Sequence, residues 1–295
     1  MRVIIAGSSG LIGSSLVSEL RGAGHEVLRL VRRAPAAADE RQWNPPAGTI
    51  QDGALDGIDA VVNLCGVGIA DRRWTGARKQ MLRDSRNVPT EVLAAAVAER
   101  HIPTLVNGSA VGYYGDGGDA TITESAPNGG GFLGLLCREW ESATDAATEA
   151  GARVVRLRTG LVLSAGGGLL GPLRPLFNFM LGGRLGDGDQ YWPWISLTDE
   201  VAAIRFCVEH DDVSGPVNLT GPAPVTNRDF TKEFAQSLGR PAPWVIPGFA
   251  LQLVFGTEMA NEAMLAGQRA LPRVLADAGF EFRHGTLRAA LAALR

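Results

Sequence analysis

Apolar positions along this chain switch between two periods, and each switch marks an element. Val3-Ile4-Ile5 is a short continuous apolar run, the pattern of a strand covered on both faces. Behind it Ile12, Leu16 and Leu20 recur every four residues, a helical stripe that Gly22 and Gly24 bring to an end. Val27–Val31 predicts a second strand, Arg41–Asn44 a short third one stopped by Pro45-Pro46, and Asp59–Leu64 a fourth. A long helical pattern then covers about 75–99, a fifth strand Thr104–Asn107, a loop 127–131, a helix about 132–150 and a sixth strand Val154–Arg158. Strands alternating with helices predict an α/β protein built on a doubly wound parallel sheet.

The last third reads differently. Gly166-Gly-Gly168 predicts a flexible loop, and Leu173–Met180 a short apolar helix. Residues 182–194 are rich in glycine and aromatics, where Tyr191, Trp192 and Trp194 either line a pocket with Arg184 or Gln190 or pack as a seam. Ile195 is expected to return to the sheet, followed by a helix about 199–209 and a strand Val217–Leu219. Thr226-x-x-Asp229 matches a capping box before a helix that Gly239 stops. Short helices are expected over 247–279, an edge strand at Gly279–Phe282 and a final helix capped by Thr286. The expected division is a dinucleotide-binding domain of 1–165 plus 194–222, and a smaller, mainly helical substrate lobe of 166–193 plus 223–295.

Composition narrows the classes. At 295 residues and 45% hydrophobic the chain can bury a full core. A net charge of −3 gives no reason to expect nucleic acid or an anionic membrane as partner. Cys65, Cys137 and Cys207 are odd in number and lack a C-x-x-C pair, which argues for reduced thiols in a cytoplasmic protein. The four histidines are scattered, so no metal site is expected. No leader is expected at the N-terminus, because its apolar run is short and begins the first strand.

The chemistry is concentrated between strand and helix, at Gly7-Ser8-Ser9-Gly10-Leu11-Ile12-Gly13. A glycine turn leading into a helix N-terminus presents free amides and a positive dipole end to a pyrophosphate. Gly7 permits the turn, Gly10 lets phosphates approach the backbone, and Gly13 lets helix and strand close up. A dinucleotide is therefore expected. NAD binders place an acid about 20 residues further on, for the ribose hydroxyls. Here that place holds Arg32-Arg33, which suits a 2′-phosphate and predicts NADP(H). Leu64-Cys65-Gly66 and Gly108, at the ends of later strands, are expected along the cofactor.

Further stretches carry a resemblance. Ser109-Ala-Val-Gly-Tyr113-Tyr114-Gly115 and Arg158-Thr-Gly160 resemble the extended short-chain dehydrogenase/reductases. Arg73-Trp74, Ser85-Arg86 with Thr90, Trp140-Glu141, Gly186-x-Gly188-x-Gln190 and Gly279-Phe-x-Phe282 are similar to their epimerase-family (NAD-dependent epimerase/dehydratase-like) branch. The resemblance implies a Rossmann-type fold, an NADP(H) site, a small-molecule substrate and a monomer or homodimer. It also exposes a departure. Those enzymes pass a proton through Tyr-x-x-x-Lys, where the lysine lowers the tyrosine pKa and holds the ribose. This chain's tyrosines, Tyr113, Tyr114 and Tyr191, have Gly117, Gly118 and Ile195 four residues on, and Leu133 and Cys137 align with the missing pair. Ser109, Tyr113, Tyr114 and Cys137 are the candidate substitutes. Arg86, where related enzymes carry an asparagine, is read either as a partner for substrate or cofactor anions or as a surface ion pair. Two functions follow: an oxidoreductase or epimerase on a small carbonyl or hydroxyl compound, or an NADP(H)-binding sensor without turnover.

Overall fold

The computed structural model describes residues 1–294. Its main sheet has eight strands: β1 (Arg2–Ala6), β2 (Glu26–Val31), β3 (Glu40–Asn44), β4 (Thr49–Ile50), β5 (Ala60–Asn63), β6 (Thr104–Ala110), and, after the two-residue β7 (Thr121–Ile122), β8 (Arg153–Thr159) and β14 (Gly215–Leu219). Their order is β14-β8-β6-β5-β1-β2-β3-β4, parallel except at β3–β4. The chain leaves β1 to one side for β2 and later returns to its other side for β5. That reversal places a crevice at the carboxyl edge of β1.

Period-two alternation sorts β1 between two cores. Val3 and Ile5 pack with Leu16 and Leu20 of α1 (Leu11–Gly22) and with Ile204 and Val208 of α6 (Leu197–Glu209). Ile4 and Ala6 pack with Leu93 and Val97 of α2 (Gly76–Arg100) and with Ala147 of α4 (Asp145–Glu149). The expected helix of 132–150 is two helices, α3 (Gly131–Ser142) and α4. Thr144 breaks it by bonding the Glu141 carbonyl, at 2.6 Å, and accepting from Arg156 at 3.1 Å.

The remaining elements form small sheets and a third core. β9 (Leu161–Ser164) turns back into β10 (Gly167–Gly168), so the expected glycine loop is a hairpin. β13 (Trp194–Ser196) pairs with β9, so Ile195 enters this second sheet and not the main one. β11 (Gly183–Leu185) pairs with β16 (Trp244–Ile246), β12 (Tyr191–Trp192) with β15 (Val225–Thr226), and β17 (Arg269–Ala270) with β7. Trp192 packs at a tilt against Phe230 and Trp194 donates to the Ala223 carbonyl, both buried, which makes the two tryptophans part of a packed seam, while Tyr191 is half-buried. Helices α5 (Leu170–Asn178), α7 (Asn227–Leu238), α8 (Gly248–Phe255), α9 (Thr257–Ala260), α10 (Arg273–Asp277) and α11 (Leu287–Ala292) complete the fold. The caps on Thr226 and Thr286 form as expected. The expected edge strand at 279–282 does not. Phe280 and Phe282 pack edge-on to each other, and Phe280 also meets Phe206.

Glu200 lies in the first turn of α6. It is fully buried, with Oε1 accepting from Thr159 at 2.9 Å and Oε2 without a partner. Burial pushes its carboxyl up to about 8, from 4.5 when exposed. Below about pH 4.5 both folded and unfolded chains hold the proton. Between there and pH 8 only the folded chain does, so stability falls as pH rises. From pH 6 to 8 the wild type should lose about 2 kcal/mol through this group. Urea denaturation of Glu200→Gln should show that component gone; parallel pH dependence in both proteins would refute the assignment.

Candidate functional site

The crevice floor begins at Gly7, which leaves β1 with φ +82°; a Cβ there would lie 2.7 Å from the Leu64 backbone. Gly10 is the N-cap of α1, donating to the Gly7 carbonyl at 3.1 Å and accepting from Ser14 at 2.9 Å. The amides of Leu11, Ile12 and Gly13 precede the first intrahelical donor and point out of the helix end. Gly13 is pressed on the turn: its Cβ would stand 2.2 Å from the Gly7 oxygen. At Gly10 a Cβ would meet only the Gly7 oxygen, at 3.5 Å, so the surface above it is open. Ser8 is buried and Ser9 exposed. The hairpin of β9 and β10 closes one side, with Gly167 and Gly168 against Leu11. This turn fits a diphosphate.

At the end of β2 the two arginines separate. Parallel pairing of β2 and β3 sets Arg29 opposite Glu40, and Arg33 reaches the same carboxylate at 2.6 and 2.7 Å. The Arg33 guanidinium holds Glu40 down to about 2. Arg33 is thus paired with a neighbouring carboxylate, with its side chain still largely exposed. Arg32 is exposed and has no carboxylate partner among the described residues. Burial pushes the nearby Cys65 thiol up to about 12, against the opposing pull of the Arg32 charge.

Beyond β5 the floor is a buried amide network. Asn63 donates to Thr90 at 2.9 Å and to Asn107 at 2.7 Å, and the Trp140 indole donates to Thr90 at 3.1 Å. The Asn63 side chain also accepts from the Cys65 amide at 3.1 Å, which fixes the turn into Gly66. Sequence reasoning named Thr90 but missed Asn63 and Asn107, whose only local signal was a polar residue ending an apolar strand. Arg86 is buried, spreads beneath Gly66 and donates to the Val67 carbonyl at 3.0 Å. It forms no ion pair among the described residues, so the surface-pair reading fails. Gly108 lies inside β6, where a Cβ would come within 2.9 Å of Trp140. Indole packing accounts for that glycine.

Three of the four candidate proton donors, Ser109, Tyr113 and Tyr114, gather on the buried Glu141–Arg158 pair, and Cys137 lies apart from it beside Gly112. β6 runs three residues further than expected, and Ser109 turns under α3, donating to Glu141 at 2.7 Å. Glu141 holds Arg158 through both oxygens at 2.8 and 2.9 Å, with both side chains buried. Tyr114 donates to Asn218 at 2.7 Å and accepts from Arg158 at 2.9 Å, and burial pushes its phenol up to about 12. Cys137 is buried beside Gly112, its thiol also pushed up to about 12 by burial. Tyr113 is half-buried, with Arg158 over its ring at 3.5 Å. A long-range contact that no local pattern announces comes from Glu262, which accepts from the Phe132 and Leu133 amides at 3.0 and 2.9 Å. It ties the C-terminal segment to the start of α3.

Comparison with known proteins supplies the setting. Residues 3–219 match the model of the "NAD dependent epimerase/dehydratase family", and residues 246–294 match a domain of unknown function, DUF1731. An epimerase family protein of Mycobacterium bovis, Mb2239, is 57% identical over 98% of this chain and 96% of its own length. The crystal structure of human epimerase family protein SDR39U1 with NADPH is similar at 32% identity, with a TM-score of 0.91 over 100% of this chain and 99% of that one. A nucleoside-diphosphate sugar epimerase structure from Corynebacterium glutamicum is similar at 36% identity and a TM-score of 0.83, over 99% of this chain and 57% of that one. With its doubly wound sheet, glycine turn and matches along almost its whole length, the chain belongs to the NAD dependent epimerase/dehydratase family.

Proposed function

We propose that this protein binds NADP(H) along the carboxyl edge of the main sheet and acts as an oxidoreductase or epimerase on a small carbonyl or hydroxyl compound. The observation that carries the reading is Arg32, exposed and without a carboxylate partner among the described residues at the end of β2, where an NAD binder presents an acid. The amides of Leu11, Ile12 and Gly13 take the diphosphate, and Gly66 borders the ribose beyond it. The coenzyme would supply or accept a hydride. The substrate is received between the sheet edge and segments 166–193 and 223–295. The NADPH named with the similar human structure supports the phosphorylated coenzyme.

Fluorescence titration should give NADPH at least about tenfold tighter binding than NADH, since one charge-assisted pair to a phosphate is worth about that much. Arg32→Asp should narrow the ratio, and Arg33→Ala should change it less. Equal affinities in the wild type would remove the basis for NADP(H). A second reading, an NADP(H)-binding sensor, is favoured by the engaged state of Ser109, Tyr114 and Cys137. Consumption of NADPH over a panel of carbonyl compounds supports the enzyme; tight binding with complete silence supports the sensor.

A further inference from the structure

Among the described residues, Arg86 is a strongly buried cation at this edge whose charge the fold leaves uncompensated. It is only 8% exposed and forms no ion pair among the described residues. Its Nη1 donates to the Leu82 carbonyl and Ser85 hydroxyl, and Nη2 to the Val67 carbonyl. The guanidinium carbon lies 5.1 Å from the Trp140 ring centre. Neutral oxygens and an indole face spread over a charge but do not cancel it. Burial lowers its pKa to about 10, and Arg78 repels it further. At neutral pH it is still a cation.

Its position decides what the charge acts on. A Cβ on Gly66 would stand 3.1 Å from the guanidinium carbon, so Arg86 underlies the turn past β5. Cys137, aligned with the missing lysine, is near enough for its thiol to feel the Arg86 charge, and it borders Gly112 past β6. Arg32 marks the opposite end, past β2, with the glycine turn past β1 between them. A dinucleotide laid with its 2′-phosphate at Arg32 and its diphosphate at Gly10 therefore extends its nicotinamide end towards Arg86.

We propose that Arg86, reaching in from α2, replaces the absent lysine as the cation beside the nicotinamide, and that it favours reduced over oxidised coenzyme. The inference rests on the NADP(H) reading above. The oxidised ring carries a positive charge and the reduced ring is neutral, so a fixed buried cation selects between them. Two charges several ångströms apart in such surroundings shift binding by about tenfold.

Calorimetric titration of the full chain with NADPH, NADP+ and adenosine 2′,5′-bisphosphate tests this. The wild type should prefer NADPH to NADP+ by about tenfold. Arg86→Met and Arg86→Gln, the latter keeping donors without charge, should bring the ratio towards one, and Arg86→Lys should retain a preference. Affinity for the bisphosphate, which lacks the nicotinamide half, should stay unchanged in all three. An unchanged ratio in a folded, neutral variant overturns the proposal. So does equal weakening of all three ligands, which would assign Arg86 to the phosphates. A wild type that binds none of them refutes the NADP(H) reading itself, a different result.

Discussion

Glu141→Ala is expected to cost about 3–5 kcal/mol of folding stability, because it strips the carboxylate from a buried ion pair and leaves its cation behind. Arg158 sits on β8 beneath α3, where both side chains of the pair are shielded from water. Glu141 also takes the Ser109 hydroxyl, and Arg158 reaches the Tyr114 phenol and the Glu124 carbonyl, at 2.9 and 3.1 Å. Removing the carboxylate therefore orphans a guanidinium and a hydroxyl together. Domains of this kind have only about 5–15 kcal/mol in hand, so the variant should melt far earlier or fail to fold. The double substitution Glu141→Leu with Arg158→Met removes both charges and should recover part of the loss, although Ser109 and Tyr114 then each lose a partner. Chemical denaturation of both variants decides it. A Glu141→Ala cost under about 1 kcal/mol would mean water reaches the pair, as at exposed salt bridges.

The same cluster shows where the sequence stopped being readable. Features fixed by neighbours in the chain were legible: the apolar run of β1, the glycine spacing into α1, and the threonine caps of α7 and α11. Each needs only a few consecutive residues to state its chemistry. Ser109 was not legible, because its role depends on where β6 ends. Pairing with β8 carries the strand through Gly108, Ser109 and Ala110, and that turns the hydroxyl under α3. Arg32 and Arg33 look alike in sequence, yet the β2–β3 register gives Arg33 the Glu40 carboxylate and leaves Arg32 without one among the described residues. Phe280 and Phe282 alternate like a strand but serve an aromatic cluster with Phe206. Ile195 is expected to return to the main sheet, but its partner is β9. In each case a contact from a distant segment chose among states that local pattern left equal.

Gly13→Ala should abolish measurable NADPH binding, a loss of about a hundredfold or more, because the atoms it strikes cannot yield separately. The added methyl would lie 2.2 Å from the Gly7 oxygen and 2.9 Å from the Ser8 Cα, both backbone. Relief requires α1 to slide away from the end of β1, and the amides of Leu11 and Ile12 move with it. Overpacking of this kind adds about 1–3 kcal/mol of destabilisation, so lost binding and a lowered melting point should appear together. Two other glycines on the same turn and helix separate these effects. At Gly22 an added methyl meets nothing within 4 Å, so Gly22→Ala should leave binding intact and be neutral or slightly stabilising. At Gly10 the added methyl has room in the fold but would occupy the surface offered to the diphosphate. Gly10→Ala should therefore keep the wild-type melting point and still lose most of its affinity. If Gly10→Ala binds NADPH as tightly as the wild type, the coenzyme does not lie over this turn, whatever Gly13→Ala does to stability.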